Sequence, residues 1–242
     1  MPDTIETSTS ESTAEMTPVT VSPSELVRRA QSLVPMIRER QEETEANGRV
    51  SAEIFGAIRD AEIFKILLPR RYGGFEYGLD TFAEVGFEIA RGCGSVGWVN
   101  SVTAMYHVFL GMYPERAQDD VWGENPGAVL AASFTPTGTV TPVDGGYSLT
   151  GKWMFCSGVD NCAWTIVGVT IPAAVEGEPD GKAYALVRTS EFDMENNWNV
   201  VGLSGTGSKN IMCNELFVPE YRLLPIEETM TGNPPGAAVN DG

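Results

Sequence analysis

The pattern of apolar residues changes once along this chain, near Pro126, and that change limits the folds available to it. Before Pro126, apolar residues recur every three or four positions, which is typical of helices with one buried face. After it, short runs of β-branched and aromatic residues are separated by Gly, Pro, Asp and Asn, which is typical of strands. The pattern predicts an α+β fold, with a helical N-terminal domain at 22–125 and an antiparallel β-sheet or small barrel domain at 126–226. The predicted strands are residues 128–134, 139–143, 147–155, 164–169, 183–188 and 211–217.

The first helix has a clear start signal. Ser22 is a favourable N-cap, Pro23 fits the first helical position, and Glu25 would complete a capping box. Further helices are predicted to begin near Ser51, Leu79, Ser95 and Pro114.

The two ends of the chain differ in composition from its middle. Residues 1–21 contain nine Ser or Thr, four acidic residues and no Lys or Arg, which predicts a disordered tail. Residues 227–242 are rich in Gly and Pro, which predicts a loop and a truncated C-terminus.

Charge and cysteine content exclude several classes of function. The 242 residues carry a formal net charge of −17, which repels nucleic acids and anionic membranes, so neither is an expected partner. The four cysteines form no CxxC pair and there is one histidine, so we expect no metal site. No stretch resembles a secretory signal or is long enough to span a bilayer, and reduced thiols fit a cytoplasmic location.

The segment from Gly151 to Trp164 concentrates aromatic, hydroxyl and thiol side chains in a strand-like run. Its rings would form a wall for a flat ligand, and Ser157 is followed by Gly158, whose backbone a ligand can approach closely. Such a surface suits a conjugated ring with polar edges, and a flavin is the leading candidate. The alternative is an ordinary buried strand that ends in a turn.

Five short motifs occur in a consistent order. They are LPRRYGG at 68–74, ARGCGSVGW at 90–98, GKWMFCSGVDNCAW at 151–164, GLSGTGS at 202–208 and FVP at 217–219. Together they resemble the acyl-CoA dehydrogenase superfamily and, more narrowly, the oxygenase components of two-component flavin-dependent monooxygenases. The resemblance implies a helical domain, a β domain and a C-terminal four-helix bundle. This chain lacks the bundle, so we expect a fragment or a truncated gene product.

The family contains two chemistries, dehydrogenation of an acyl thioester and oxygenation of an aromatic ring. Residues 132–138 lack the acidic motif of the dehydrogenases, residues 93–98 are closer to the oxygenases, and His107 lies where several oxygenases carry a histidine. The resemblance therefore implies a monooxygenase that hydroxylates an aromatic or phenolic substrate with O2 and a reduced flavin, FMN or FAD. It also implies a separate NAD(P)H-flavin reductase and a homotetramer. An acyl-CoA dehydrogenase-like enzyme and an inactive remnant are the alternatives.

The resemblance also implies roles for individual residues. The candidate catalytic residues are Ser157, beside the flavin N5 atom, and His107, beside the reacting oxygens. Trp98 and Asn100 would border the substrate. For each residue the alternative is ordinary packing, and for His107 it is a hydrogen-bonded core histidine. The candidate flavin-binding residues are Ser133, Thr135, Phe155, Cys156, Ser157 and Thr206, with Ser204 and Ser208 as a further polar rim.

Overall fold

The computed structural model describes residues 21–173, 175 and 177–240. Helices occupy the first half of this range and strands the second, and the change falls between Gly123 and Leu130, as the pattern near Pro126 predicted. The helices are α1 (Pro23–Glu39), α2 (Gln41–Asn47), α3 (Ala52–Asp60), α4 (Leu79–Gly92), α5 (Gly94–Gly111), α6 (Glu115–Gln118) and α7 (Ile226–Met230). The strands are β1 (Leu130–Val143), β2 (Gly146–Cys156), β3 (Trp164–Ile171), β4 (Gly181–Arg188), β5 (Asp193–Glu195), β6 (Lys209–Pro219) and β7 (Leu223–Pro225).

The start of α1 confirms the predicted cap but not the full capping box. The Ser22 hydroxyl accepts a hydrogen bond from the Glu25 backbone N–H at 3.2 Å. The Glu25 carboxylate instead binds Arg28 and Arg29, one turn further along the helix. Residues 1–20 of the predicted disordered tail lie outside the described residues.

The strands form one mixed sheet in the order β5-β6-β2-β1-β3-β4-β7. The expected purely antiparallel sheet or barrel is corrected at one pair, because β1 and β3 are parallel. The reason is topological. Strands β1 to β4 alternate in direction along the chain, and β3 pairs with β1 instead of with β2, so its direction matches that of β1.

Strand β1 joins the first two predicted strands across an irregularity between Ser133 and Gly138. Gly138 lies against the indole of Trp153, where an added Cβ would come within 2.2 Å of a ring carbon. The Trp153 ring is buried, and its Nε1–H donates to the Gly168 carbonyl oxygen at 2.6 Å. Trp153 is therefore a core residue that fixes β2 against β1 and β3.

One hydrophobic core passes without a break from the helices to the sheet. It includes Ile37 and Val99 from the helices and Trp153 and Val167 from the strands. The division into domains at 22–125 and 126–226 therefore stays a prediction. No helix in the described part of the chain is both long and apolar enough to cross a bilayer.

The predicted loop at 227–242 contains regular turns over residues 227–240, and residues 241 and 242 lie outside the described residues. It begins within α7 and contains a 3-10 turn at Pro235–Ala238. The Gly236 N–H donates to the Met112 carbonyl oxygen at 3.0 Å, and the Asn240 side-chain amide donates to the Gly111 carbonyl oxygen at 2.8 Å. These bonds attach the segment to the end of α5, which residue composition alone does not reveal.

Candidate functional site

A chain of hydrogen bonds connects helix α5, the end of β2 and the start of β6. The Trp98 indole N–H donates to the Ser157 hydroxyl at 3.1 Å, and the Ser157 and Ser208 hydroxyls are 2.7 Å apart. The Ser208 and Thr206 hydroxyls are also 2.7 Å apart, and the Thr206 hydroxyl donates to the Leu203 carbonyl oxygen at 2.9 Å. Trp98 is half exposed, whereas the three hydroxyls are buried.

The two ends of this chain restrict the order of its protons without fixing it. An indole N–H can only donate and a carbonyl oxygen can only accept. The Leu203 carbonyl oxygen accepts from the Thr206 hydroxyl, and also from the Trp198 indole N–H at 3.1 Å and the Thr206 backbone N–H at 3.2 Å. Either hydroxyl of the Ser157–Ser208 pair and of the Ser208–Thr206 pair can therefore be the donor.

A bulge at the end of β2 positions Ser157 and its aromatic neighbour. The pairing of β2 with β6 is irregular between Trp153 and Cys156, and Phe155 has a left-handed backbone with φ of 63°. Left-handed backbone is unfavourable for an aromatic residue and marks a locally constrained site. The bulge leaves the Phe155 ring 62% exposed, 5.9 Å from the Trp198 ring, while Cys156 enters the core. Cys156 is buried, unlike Phe155, and its predicted flavin contact stays a prediction.

Glu45 at the end of α2 fastens the loop that carries Thr206 and Ser208. One of its carboxylate oxygens accepts from the Gly205 N–H at 3.0 Å, and the other accepts from the Ser95 hydroxyl at the start of α5. A Cβ on Gly205 would lie 2.6 Å from the Thr44 methyl carbon, so the loop packs closely on α2. The helical half thus holds the hydroxyl chain in place.

The two predicted flavin contacts on β1 differ in their environment. The Ser133 hydroxyl is buried and donates to the Met154 carbonyl oxygen at 2.8 Å, so it anchors β2 just before Phe155. Thr135 is exposed, within the irregular part of β1. The structure gives neither residue a direct bond to the hydroxyl chain.

His107 and Asn100 lie away from the hydroxyl chain, in the interior. His107 is 1% exposed, its ring centroid lies 5.6 Å from that of Trp122, and it borders a cavity of about 20 Å³. Its Nδ1 atom and the Asn100 Oδ1 atom have no hydrogen-bond partner among the described residues. Burial lowers the pKa of His107 to about 4, so the ring is neutral at pH 7. Both side chains are buried, and the predicted catalytic role of His107 and substrate role of Asn100 stay predictions.

Two contacts were not predicted from the sequence. Trp198 packs against Phe155, although 42 intervening positions separate them, and no local motif predicts this contact. Ser208, which was predicted only as part of a polar rim, links Ser157 to Thr206, and its place beside Thr206 in the motif at 202–208 is a weak signal for that link. Within the described residues, no group of three or more His, Cys, Asp or Glu side chains is placed to hold a metal ion.

Comparison with known proteins identifies the class. The sequence model of the acyl-CoA dehydrogenase N-terminal domain matches residues 27–122. The oxygenase component of FADH(2)-dependent resorcinol hydroxylase from Rhizobium sp. is 37% identical over 211 residues, which are 87% of this chain and 51% of that protein. The oxygenase subunit HsaA of a flavin-dependent monooxygenase from Mycobacterium tuberculosis is 36% identical over 209 residues, covering 86% of this chain and 52% of that subunit.

Solved structures support the same class of protein as the sequence matches. The crystal structure of the HsaA monooxygenase from M. tuberculosis superimposes with a TM-score of 0.87 at 33% identity, covering 91% of this chain and 58% of that one. XiaF from Streptomyces sp., in complex with FADH2 and glycerol, superimposes with a TM-score of 0.81 at 31% identity, covering 88% of this chain and 55% of that one.

The helices, the mixed sheet and these matches define an acyl-CoA dehydrogenase-like flavoprotein fold. Residues 27–122 match the acyl-CoA dehydrogenase N-terminal domain, and the chain is homologous to oxygenase components of flavin-dependent monooxygenases. It spans about half the length of the curated relatives it matches.

Proposed function

We propose that this chain forms the α5–β2–β6 part of the flavin site of an oxygenase component that hydroxylates an aromatic substrate. The observation that carries the proposal is the ordered hydroxyl chain that ends at Ser157, beside the exposed rings of Trp98 and Phe155. A planar ring with polar edges fits this arrangement, because its face packs on aromatic carbon while its edge meets the hydroxyl.

Each residue of the proposed flavin site has its own role. The rings of Trp98 and Phe155 bind and orient the flavin ring and exclude water from it. Ser157 contacts the polar edge of that ring, and Ser208 and Thr206 hold Ser157 in place. A bound reduced flavin supplies the activation of O2 and the transfer of one oxygen atom to the substrate. Ser133 supports the same strand through Met154.

The partners follow from the same proposal. The names of the relatives as oxygenase components support a separate reductase that delivers reduced FMN or FAD, and a small phenolic or other aromatic substrate. All four cysteines are free thiols, which supports a location in the reducing cytoplasm. A homotetramer would cover exposed apolar side chains such as Leu203 and Phe217.

The test is an assay of the purified protein with reduced FMN or FAD from a flavin reductase, O2 and a panel of phenols. We expect a hydroxylated product that carries one atom of 18O from 18O2. Ser157→Ala is expected to shift the output from product to hydrogen peroxide, whereas Glu42→Ala, on the exposed face of α2, is the matched control. Peroxide as the sole output across the panel, or bleaching of oxidised flavin by an acyl-CoA thioester without O2, would overturn the proposal.

A further inference from the structure

We propose that a cleft between the end of α2 and the loop at 196–204 binds a small organic phosphate with a planar ring, the chemistry of a mononucleotide. The cleft consists of two adjoining cavities of about 470 Å³ and about 260 Å³, whose walls share Asn47, Gly48 and Asn196. Cavities of this size are typical of small-molecule sites. None of Trp98, Phe155 and Ser157 lines the cleft, so the inference goes beyond the proposed flavin site.

One end of the cleft is cationic. Arg49 and Lys209 line it, together with Asn47 and Asn196. The Arg49 side chain is exposed and forms no ion pair or hydrogen bond with the described residues. Lys209 binds the Asp160 carboxylate, which does not line the cleft, and an ammonium group has further N–H groups to donate. Since Asp160 offsets the charge of Lys209, the net charge of this end is that of Arg49.

Close packing of the backbone fixes Arg49 beside Lys209. Gly48 ends α2 with a left-handed backbone at φ of 62°, and Gly207 is also left-handed, with φ of 56°. A Cβ on Gly207 would lie 3.0 Å from the Gly48 carbonyl oxygen and 3.4 Å from the Arg49 Cβ atom. The two turns that carry the cations therefore touch each other, and the fold sets their separation before a ligand binds.

The donors at this end match a phosphate better than a carboxylate. A guanidinium, an ammonium and side-chain amides present more N–H groups than the two oxygens of a carboxylate can accept. A phosphate monoester offers more acceptor oxygens and carries a charge of about −1.5 to −2 at pH 7. The cationic end therefore favours the phosphate.

The other end of the cleft is apolar and contains an indole ring. Trp198, Val200 and Val201 line it, and the Val201 side chain is fully exposed. Glu45 also borders this end, but both of its carboxylate oxygens already accept hydrogen bonds. A planar ring can pack on this surface while its phosphate binds at the cationic end.

The experiment measures the binding of AMP, adenosine and inorganic phosphate to the purified protein by isothermal titration calorimetry. AMP should bind more tightly than adenosine or phosphate, because only AMP occupies both ends. Arg49→Gln should weaken AMP by about tenfold, the effect of one lost charge-assisted hydrogen bond, and leave the weaker binding of adenosine unchanged. Trp198→Leu should weaken AMP and adenosine by a similar factor. Lys182→Ala, which removes an exposed cation outside the cleft, is the matched control and should bind AMP like the wild type.

A competition titration identifies the source of the nucleotide. AMP is one half of FAD and is absent from FMN. If AMP displaces FAD but not FMN, the cleft holds the AMP half of the cofactor. If AMP and FAD bind at the same time, the cleft serves a free nucleotide. Either result supports a nucleotide site at Arg49.

The failures of the two proposals are distinguishable. If AMP does not bind, or if Arg49→Gln and Lys182→Ala have equal effects on AMP, the inference is wrong. If AMP binds as expected but neither FMN nor FAD binds, the proposed function fails and the nucleotide cleft stands. If Trp198→Leu does not fold, Arg49→Gln at its exposed position still decides the question.

Discussion

Trp98 and His107 face opposite sides of helix α5. They are nine residues apart, which is about two and a half helical turns, so their side chains point in opposite directions. Trp98 is half exposed and binds Ser157, whereas His107 is buried against Trp122. Helix α5 therefore has one face that serves the candidate flavin site and another that belongs to the core, and the chain's single histidine lies on the core face.

The burial of His107 predicts an acid-sensitive fold. Its pKa in the folded protein is about 4, below the ordinary value of 6.5, because burial disfavours the charged ring. Between these two values the unfolded chain binds a proton that the folded chain does not, so stability falls as the pH falls. We expect this residue to cost the protein about 2 kcal/mol of unfolding free energy between pH 7.5 and pH 5, measured by urea denaturation.

His107→Met removes the titrating group and fills the space with a flexible apolar side chain. Between pH 7.5 and pH 5, the unfolding free energy of the variant should fall by about 2 kcal/mol less than that of the wild type. FMN binding at pH 7.5 should stay unchanged, since His107 lies away from Trp98. If the variant keeps the pH dependence of the wild type, His107 is not the group that makes the fold sensitive to acid. If the variant binds FMN less tightly, His107 contributes to the flavin site.

Much of the fold was predictable because its signals are local. The Ser22 cap, the helical spacing of apolar residues and the change near Pro126 each depend on neighbouring positions. The parallel pairing of β1 with β3 was not predictable in this way. It depends on which side of β1 the chain reaches after β2, and no short-range sequence signal specifies that side.

The candidate site was predictable to a smaller extent. Ser157 and Thr206 occur in motifs and do meet in the structure through Ser208. The Ser157–Ser208 contact joins positions 51 residues apart, which no local pattern encodes. The position of His107 on the face of α5 opposite Trp98 also follows from helical periodicity alone.

Trp153 should contribute strongly to stability, although it lies in the motif that first suggested a flavin site. It is 1% exposed, and its N–H donates to the Gly168 carbonyl oxygen at 2.6 Å. Trp153→Phe would remove that buried hydrogen bond and open a cavity beside Gly138, at a cost of about 2–4 kcal/mol in unfolding free energy. Trp98→Phe, at a half-exposed site, is the matched control and should cost less than about 1 kcal/mol. Equal losses in both variants would contradict the assignment of Trp153 to the core.

The ion pair between Lys209 and Asp160 should stabilise the fold only when both charges are present. Both side chains are largely buried, at 13% and 14% exposed, and the second Asp160 carboxylate oxygen has no partner among the described residues. Lys209→Met leaves a buried carboxylate without its cation and should lower the unfolding free energy by about 3–5 kcal/mol. The double variant Asp160→Asn/Lys209→Met should recover part of that loss. A double-mutant cycle by urea denaturation measures the coupling, and additive losses would mean that the two charges do not interact.

Glu45 should keep the loop that carries Thr206 and Ser208 in place. Glu45→Gln retains an oxygen for the Gly205 N–H, and its amide can donate to the Ser95 hydroxyl, so the loop should stay ordered. Glu45→Ala removes both bonds, and each hydrogen bond to a charged group contributes about 1.5–3 kcal/mol.

Amide hydrogen exchange measures this effect directly. In Glu45→Ala we expect exchange at Gly205, and at Gly158, whose N–H donates to the Thr206 carbonyl oxygen at 3.0 Å, to be about tenfold faster than in the wild type. Glu42→Ala on the same short helix controls for the loss of a carboxylate that contacts no loop. If both alanine variants exchange at the same rate as the wild type, packing of Gly205 against Thr44 holds the loop without Glu45. Faster exchange in Glu45→Ala alone would mean that a residue of the helical half sets the geometry of the hydroxyl chain at Ser157.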